Sequence, residues 1–296
     1  MVAFSTLLAS SLVLPLLASG LAVTSKTALT PFGERPVANV HTVPAGGKIQ
    51  HVGNQVQVVD AKGTLLHVAE NSGTKVRDEP TPASKGSLPA TLQNGWIAYA
   101  YWYNTGTSPI KSFTTTWTVP PIPATNNGQT LFTFNSIEPA SGDAIIQPVL
   151  QYGPSAAGGG AYYAVASWYL VGSAVYHTTP VRVRPGQTLT GAIYLTGGSS
   201  TSYNYITSFT NIPATSLNVF GAAQLVWATE TLEVYGVQYA SDFSPGSTVF
   251  SNINIKTSAG TPNVAWTPVS SVQDNVVTTV NSQGATNAKI TIKYPV

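Results

Sequence analysis

Two polar side chains stand where an apolar strand has no ordinary use for them. They are Gln147, in Ala144-Ile145-Ile146-Gln147, and Glu233, in Ala228-Thr229-Glu230-Thr231-Leu232-Glu233. A buried polar group without a partner costs free energy, so each needs either a partner or a task. A carboxylate can take a proton from water and return it to a departing amine. An amide nitrogen can donate to a developing oxyanion. Together they could hydrolyse an amide if two neighbouring strands bring them to one water. Read singly, Glu233 serves as well as a carboxylate paired with Arg182, Arg184 or a lysine, and Gln147 as an amide bonding the next strand. Gln151, four residues on, rivals Gln147.

Composition closes most other routes. Cysteine is absent, which removes disulfides, thiol nucleophiles and thiolate metal sites. Three of the four histidines, His41, His51 and His67, lie near the amino terminus. A Ser-His-Asp triad would therefore need His177, and no Gly-x-Ser-x-Gly elbow supplies its nucleophile. One further histidine cannot build a zinc site, and Asp143 and Asp242 lie in no Asp-rich calcium loop. No metal and no cofactor is expected. A glycosidase needs two carboxylates across a sugar bond. Glu230 and Glu233 are three apart on one strand and so face opposite sides, while Glu138 with Glu233 stays open as a pair.

The elements that must position these residues read as β throughout. From Gly95 onward, apolar and aromatic residues alternate with Ser, Thr and Asn, as in Ser112–Val119, Val181–Arg184, Ile253–Lys256 and Ala288–Tyr294. That period predicts half-buried antiparallel strands. Pro120-Pro121, Gly158-Gly159-Gly160, Pro185-Gly186 and Gly197-Gly198 are the expected turns. No window shows a helix of normal length, and no fixed repeat suggests a propeller. The pattern predicts an all-β sandwich of two packed antiparallel sheets.

Charge divides the chain. Charged residues make up 8% of it, against about a quarter in ordinary soluble domains. Residues 24–85 hold seven of the thirteen Lys and Arg and five of the eleven acids. The net charge of +2 suggests neither nucleic acid nor an anionic membrane as partner. Met1 to Ala22 has the apolar core and small-residue end of a signal peptide, which predicts secretion with no membrane association afterwards. Residues 23–90 are expected to be a propeptide and linker, ending in Arg77-Asp78-Glu79-Pro80-Thr81-Pro82, before a domain at 91–296. Within the leader, Ile49–Val52, Gln55–Val59 and Leu65–Val68 read as strands, with a hairpin turn at Asp60-Ala61-Lys62-Gly63. A small β-module of the mature protein is the other reading of the same segment. Histidine titrates between neutral and mildly acidic pH, so the leader's three could loosen it in acid.

Six tryptophans invite a sugar-stacking reading, with Trp96–Tyr103 as the best aromatic platform. Strict alternation would place Trp96, Ala98, Ala100 and Trp102 on one face, and Ile97, Tyr99, Tyr101 and Tyr103 on the other.

Several stretches then resemble one family. Asn94-Gly95-Trp96 is similar to the Asn-Trp entry of the eqolisins, the fungal glutamic peptidases. Phe113-Thr114-Thr115-Thr116-Trp117-Thr118-Val119-Pro120 resembles their strand ending in Val-Pro. Phe134-Asn135-Ser136-Ile137-Glu138-Pro139 stands where they have Trp-Val-Gly-Ile-Asp-Gly. Ala144–Gln147 resembles their Ala-Ile-Leu-Gln, and Ala228–Glu233 the segment ending in the catalytic glutamate. Tyr163-Ala164-Val165-Ala166-Ser167-Trp168 keeps the alanine and final tryptophan of Asp-Ala-Trp-Tyr-Glu-Trp, with Ser167 at the glutamate. The resemblance implies a jelly-roll or concanavalin A-like sandwich, made as a secreted, extracellular proenzyme. Gln147 and Glu233 would be its catalytic dyad, and Trp96, Glu138 and Trp168 its substrate-binding residues. The expected activity is acid-acting endopeptidase cleavage of a polypeptide substrate by a monomer. A carbohydrate-binding (lectin-like) or glycoside-active protein on the same fold is the alternative.

Overall fold

The computed structural model describes residues 26–76 and 93–295. The expected signal peptide and the expected boundary near residue 90 lie outside the described residues. No helix among them is long and apolar enough to cross a membrane.

The amino-terminal segment forms β1 (Thr27–Thr30), β2 (Gly33–Pro36), β3 (Val40–Thr42), β4 (Lys48–Val52), β5 (Gln55–Val59) and β6 (Leu65–Glu70). After it come β7 (Gly95–Tyr103), β8 (Ile110–Thr118), β9 (Thr130–Pro139), β10 (Ala144–Ser155), β11 (Gly158–Val171), β12 (Ala174–His177) and β13 (Val181–Arg182). The remainder are β14 (Thr188–Gly198), β15 (Tyr203–Phe209), β16 (Ile212–Ala222), β17 (Leu225–Tyr235), β18 (Ser247–Thr257), β19 (Thr267–Val269), β20 (Val277–Ser282) and β21 (Ala288–Lys293).

They make two large sheets, packed face to face as the expected sandwich. One runs β19-β7-β17-β9-β10-β11-β12-β3, with β13 on β11, and the other β20-β21-β18-β8-β14-β15-β16-β4-β5-β6. Between them lie Ile137, Ile146, Leu150, Val165 and Leu232 of the first sheet, and Phe113, Trp117, Ile193, Tyr205 and Phe250 of the second.

The two sheets differ in pattern for a physical reason. In β15 burial alternates residue by residue, as a half-buried strand requires. In β9 every residue is buried. The outer face of the first sheet carries a second apolar layer, Phe132, Phe134, Ile145, Val149, Trp168 and Leu170. Leu29, Phe32, Val40 and Val76 of the amino-terminal segment pack on it.

That segment is neither a separate module nor a loose tail. Its predicted strands are present as β4, β5 and β6, and Asp60 Oδ1 closes their turn by accepting from Lys62 N and Thr64 N at 2.8 Å each. β3 joins β12 in parallel and β4 joins β16 in parallel, so the segment extends both sheets. Val43, Ile49, Val56 and Val58 enter the main core. Each such side chain stabilises the docked state by about 1.5–3 kcal/mol relative to exposure.

Two expected turns are strands. Gly158-Gly159-Gly160 opens β11, and Gly197-Gly198 closes β14. At Gly159 (φ +115°) a Cβ would lie 2.2 Å from Gly153 O and 2.4 Å from Gln151 Nε2, so the glycine permits a close approach rather than a reversal. The expected strand Val181–Arg184 shortens to Val181–Arg182, ahead of the turn at Pro185.

Gly191 of β14 is a point of close approach in the core. A Cβ there would sit 2.4 Å from Asn135 Oδ1, 2.8 Å from the Trp117 ring and 2.9 Å from Pro148 Cγ. Gly191→Ala is expected to cost about 1–3 kcal/mol through overpacking, read as a lowered urea midpoint with an unchanged slope.

Candidate active site

A bulge shapes the site first. Leu232 pairs with Ala98, but Glu233 pairs with Trp96, so Ile97 is an extra residue in β7. Strict alternation fails there: Trp96 turns onto the tyrosine face, as bulges commonly re-aim a side chain. Its ring lies 5.4 Å from Tyr99 and 5.9 Å, stacked, from Trp227. Ile97 goes into the core.

Glu230 and Glu233 face opposite sides of β17, as their spacing requires. Glu230 points between the sheets, fully buried, and accepts from Thr115 Oγ1 of the facing sheet. Burial holds its pKa well above the usual carboxylate range, with only the Thr115 bond acting the other way. Burial there favours the neutral form of the carboxyl.

Glu233 lies on the outer face and is also fully buried. Its Oε1 accepts from the backbone N–H of Phe32 at 2.6 Å and from the Tyr235 hydroxyl at 2.5 Å. Burial pushes its pKa up to about 7, against hydrogen bonds from Tyr235, the Phe32 amide and Trp96 and the charge of Arg35. Both protonation states are therefore within reach near neutral pH, as proton transfer demands. The charge that acts on Glu233 is that of Arg35 of the amino-terminal segment, whereas Arg182 lies over the Tyr162 ring at 3.8 Å.

The Phe32 amide reaches Glu233 because Thr30–Gly33 is a tight turn. Phe32 adopts φ +74°, a left-handed conformation unusual for an aromatic residue. Thr30 Oγ1 donates to Pro31 O at 2.9 Å and to Gly33 O at 2.8 Å. Phe32 packs on Trp96 with ring centroids 5.1 Å apart. Leu29 O accepts from Ala156 N at 2.6 Å, which pins the hairpin to the β10–β11 turn. Between the hairpin and the sheet is a hollow of about 450 Å³, lined by Phe32, Arg35, Asn94, Trp96, Glu233 and Tyr235 among others. A second, of about 220 Å³, lies between Tyr103, Glu138, Trp227 and Lys75.

Gln147 shares the outer face with Glu233 but not its neighbourhood. The two strands are not adjacent, because β9 runs between them. Glu233 pairs with Phe132, and Phe132 with Gln151. Gln147 is thus two strands across and four residues along, about 10 Å by about 13 Å. One water cannot bridge that span, so the structure does not bring the expected dyad together. The same register puts Ser136 beside Gln147 and Thr229 beyond it. Ser136 Oγ and Thr229 Oγ1 bond at 2.7 Å, and Thr229 with Thr231 at 2.9 Å. Neither amide atom of Gln147, which is fully buried, has a hydrogen-bond partner among the described residues.

Gln151, in the row of Glu233, is committed elsewhere. Its Nε2 donates to Gly153 O and Gly158 O, and its Oε1 accepts from Ser155 Oγ. Of the expected substrate-binding residues, Trp96 and Glu138 line hollows. Trp168 stands opposite Gln147 but is fully buried against His177, ring centroids 4.8 Å apart. Ser167 belongs to the other face, next to Pro148 in the register. His177 Nδ1 lies 2.9 Å from Thr178 O, a packed histidine rather than a catalytic base.

The register also answers the glycosidase pairing. Glu138 pairs with Trp227, six residues from Glu233 on β17. The separation is about 20 Å along the strands, far beyond the roughly 5–9.5 Å that glycoside hydrolysis uses. No group of three His, Cys, Asp or Glu among the described residues could hold a metal ion.

Sequence reading missed Phe32, Arg35 and Tyr235. Tyr235 was within reach of it, since two residues along a strand return to the same face. The contacts from residues 32 and 35 span some two hundred positions and leave no local signal.

No family model matches the chain, and no curated protein matches it. Its structural neighbours include SCP-B, a member of the eqolisin family of peptidases, in a complex with the tripeptide Ala-Ile-His (TM-score 0.46). Another is scytalido-glutamic peptidase with a transition state analog inhibitor (TM-score 0.44). Each is 14% identical over 69% of this chain and 100% of its own.

Glu230 gives a pH test of the site's surroundings. Its folded pKa is raised, so its contribution to stability is fully present below about 4.5 and is lost as pH rises through the folded value. Glu230→Gln should melt close to the parent at pH 5 and above it at pH 8, by calorimetry at both.

Proposed function

We propose that the chain is the precursor of a secreted, acid-acting glutamic endopeptidase in which Glu233 is the proton-carrying group. The observation that carries this reading is the Phe32 N–H on Glu233 Oε1 at 2.6 Å. A polypeptide, the chain's own, crosses the outer face and offers a peptide nitrogen to the carboxyl, as a substrate amide must. With the segment withdrawn and water admitted, burial no longer holds the Glu233 pKa up. The ionised Glu233 would take a proton from water as the water attacks the carbonyl carbon, then give it to the leaving nitrogen as the C–N bond breaks. The Phe32 amide and the Tyr235 hydroxyl occupy the carboxyl oxygen that would hold the attacking water. The segment therefore fits a zymogen's inhibitory leader.

The oxyanion donor falls to a group beside Glu233 rather than to Gln147. Asn94 is the candidate: it lines the same hollow, and its Oδ1 accepts from Gly236 N at 2.9 Å, leaving its amide nitrogen available, whereas the Tyr235 hydroxyl is committed to Glu233. A second reading, carbohydrate binding, draws on the aromatic face formed by Trp96, Tyr99, Tyr101, Tyr103 and Trp227, of which Tyr103 is 44% exposed.

The activity test uses a denatured protein substrate at acidic pH, with the leader removed or displaced. Hydrolysis insensitive to chelators and thiol reagents is expected, and Glu233→Gln should lower kcat about 10²–10⁴-fold with the fold intact. Full activity in that variant would sink the assignment. Gln147→Leu should stay within about tenfold of the parent and be no less stable, since it exchanges an unmet buried amide for an apolar group of similar shape. Glycan binding that survives Glu233→Gln, with no hydrolysis in the parent, would instead select the second reading.

A further inference from the structure

The amino-terminal segment meets the sandwich through imidazoles. His41 of β3 lies face to face with His67 of β6, ring centroids 3.4 Å apart and planes 27° apart. On the domain side the Tyr176 ring lies 5.7 Å from His41, and His177 is close enough to act on its charge. His51 of β4 reaches across the sandwich edge, its Nε2 2.8 Å from the Tyr169 hydroxyl of β11. Behind His51, Gly221 of β16 leaves only enough room for the histidine, a Cβ there falling 3.2 Å from it. Asp143 is the one carboxylate, among the described residues, that acts on any of the three. Two imidazolium rings stacked at that distance, beside a third histidine and with no counter-charge between them, would repel.

We propose that residues 26–76 form an acid-released cover: protonation of His41, His51 and His67 detaches it from the sandwich and withdraws the Thr30–Gly33 turn from Glu233. The release is a property of the imidazoles. Only its consequence, an uncovered reacting group, rests on the reading of Glu233 given above.

The titration directions agree with the geometry. Burial first, then the charges of His67 and His177, hold the His41 pKa down at about 4 rather than 6.5. Burial lowers His67 and His51 as well, with Asp143 acting the other way on His51. For a group whose docked pKa is depressed by unfavourable charging, the free segment takes protons first as pH falls below about 6.5. Docking is thus complete above that value and weakens towards the docked values. His41 alone would weaken it by on the order of tenfold between pH 7 and pH 4.5, allowing for its partial exposure. Glu233 also titrates under the cover. Burial there favours its neutral form, while the Phe32 amide and Arg35 favour its charged form. A Glu233→Gln background removes that contribution.

The test is hydrogen exchange by mass spectrometry on the full chain carrying Glu233→Gln, at pH 7 and pH 4.5, corrected for intrinsic exchange rates. Peptides spanning β1–β6 should lose protection tenfold or more at pH 4.5, while those of β9, β10 and β17 keep theirs. Adding His41→Gln, His51→Gln and His67→Gln together should leave β1–β6 equally protected at both values. Equal protection at both pH values in the background chain, or equal acid loss after the three substitutions, overturns the proposal. Should the triple variant lack sandwich protection at pH 7, His41→Gln alone decides: its acid loss must be smaller than the background's, and an equal loss overturns the idea. Peptide hydrolysis is not read, so an inactive Glu233 would leave this result standing.

Discussion

A carboxyl group shut away from water on an apolar sheet face sets the terms for much of this molecule. Glu233 keeps one oxygen satisfied by a hydroxyl two residues along its own strand and by a backbone amide from the far end of the chain. That amide can point inward only because Phe32 accepts a left-handed turn between two short strands. The turn in turn is held by Thr30, by the Leu29–Ala156 bond and by the Phe32 ring on Trp96. Strain of this kind persists only where surrounding contacts over-determine it. Here they come from the same apolar layer that buries the carboxyl.

The amino-terminal segment and the sandwich complete one another. The first sheet has a second apolar face that would be exposed without Leu29, Phe32, Val40 and Val76. Both sheets have an edge that β3 and β4 pair in parallel. The segment also carries the charge that the sandwich lacks, and Arg35 is the cation that bears on Glu233. Titratable groups divide along the same line. The buried acids Glu230 and Glu233 are raised and favour the protonated form, whereas the half-buried imidazoles of the segment are lowered and favour the neutral one.

Much of the fold was legible because side-chain period and turn residues are local. The β8 and β21 patterns, the Asp60 turn and the opposed faces of Glu230 and Glu233 all follow from neighbours within a few positions. The same reasoning misplaced Trp96, because one extra residue in β7 inverts every face before it and a bulge leaves no compositional mark at Ile97. It also read the three glycines at 158–160 as a turn, since glycine signals a reversal and a close approach alike.

Sequence alone determined the chemistry on offer: no thiol, one histidine beyond residue 67, six carboxyl groups after residue 86, and polar residues at 147 and 233 in apolar strands. It also determined that the chain would be a sandwich with a charged amino-terminal segment. Only the tertiary structure decided which of those residues meet. Strand order put β9 between β10 and β17, and register displaced Gln147 four residues from the row of Glu233. Strand order and register are set by the packing of whole sheets and by where the chain returns, so no window of sequence contains them. The partner Glu233 found was a backbone amide, which every residue but proline carries and which no residue type can announce.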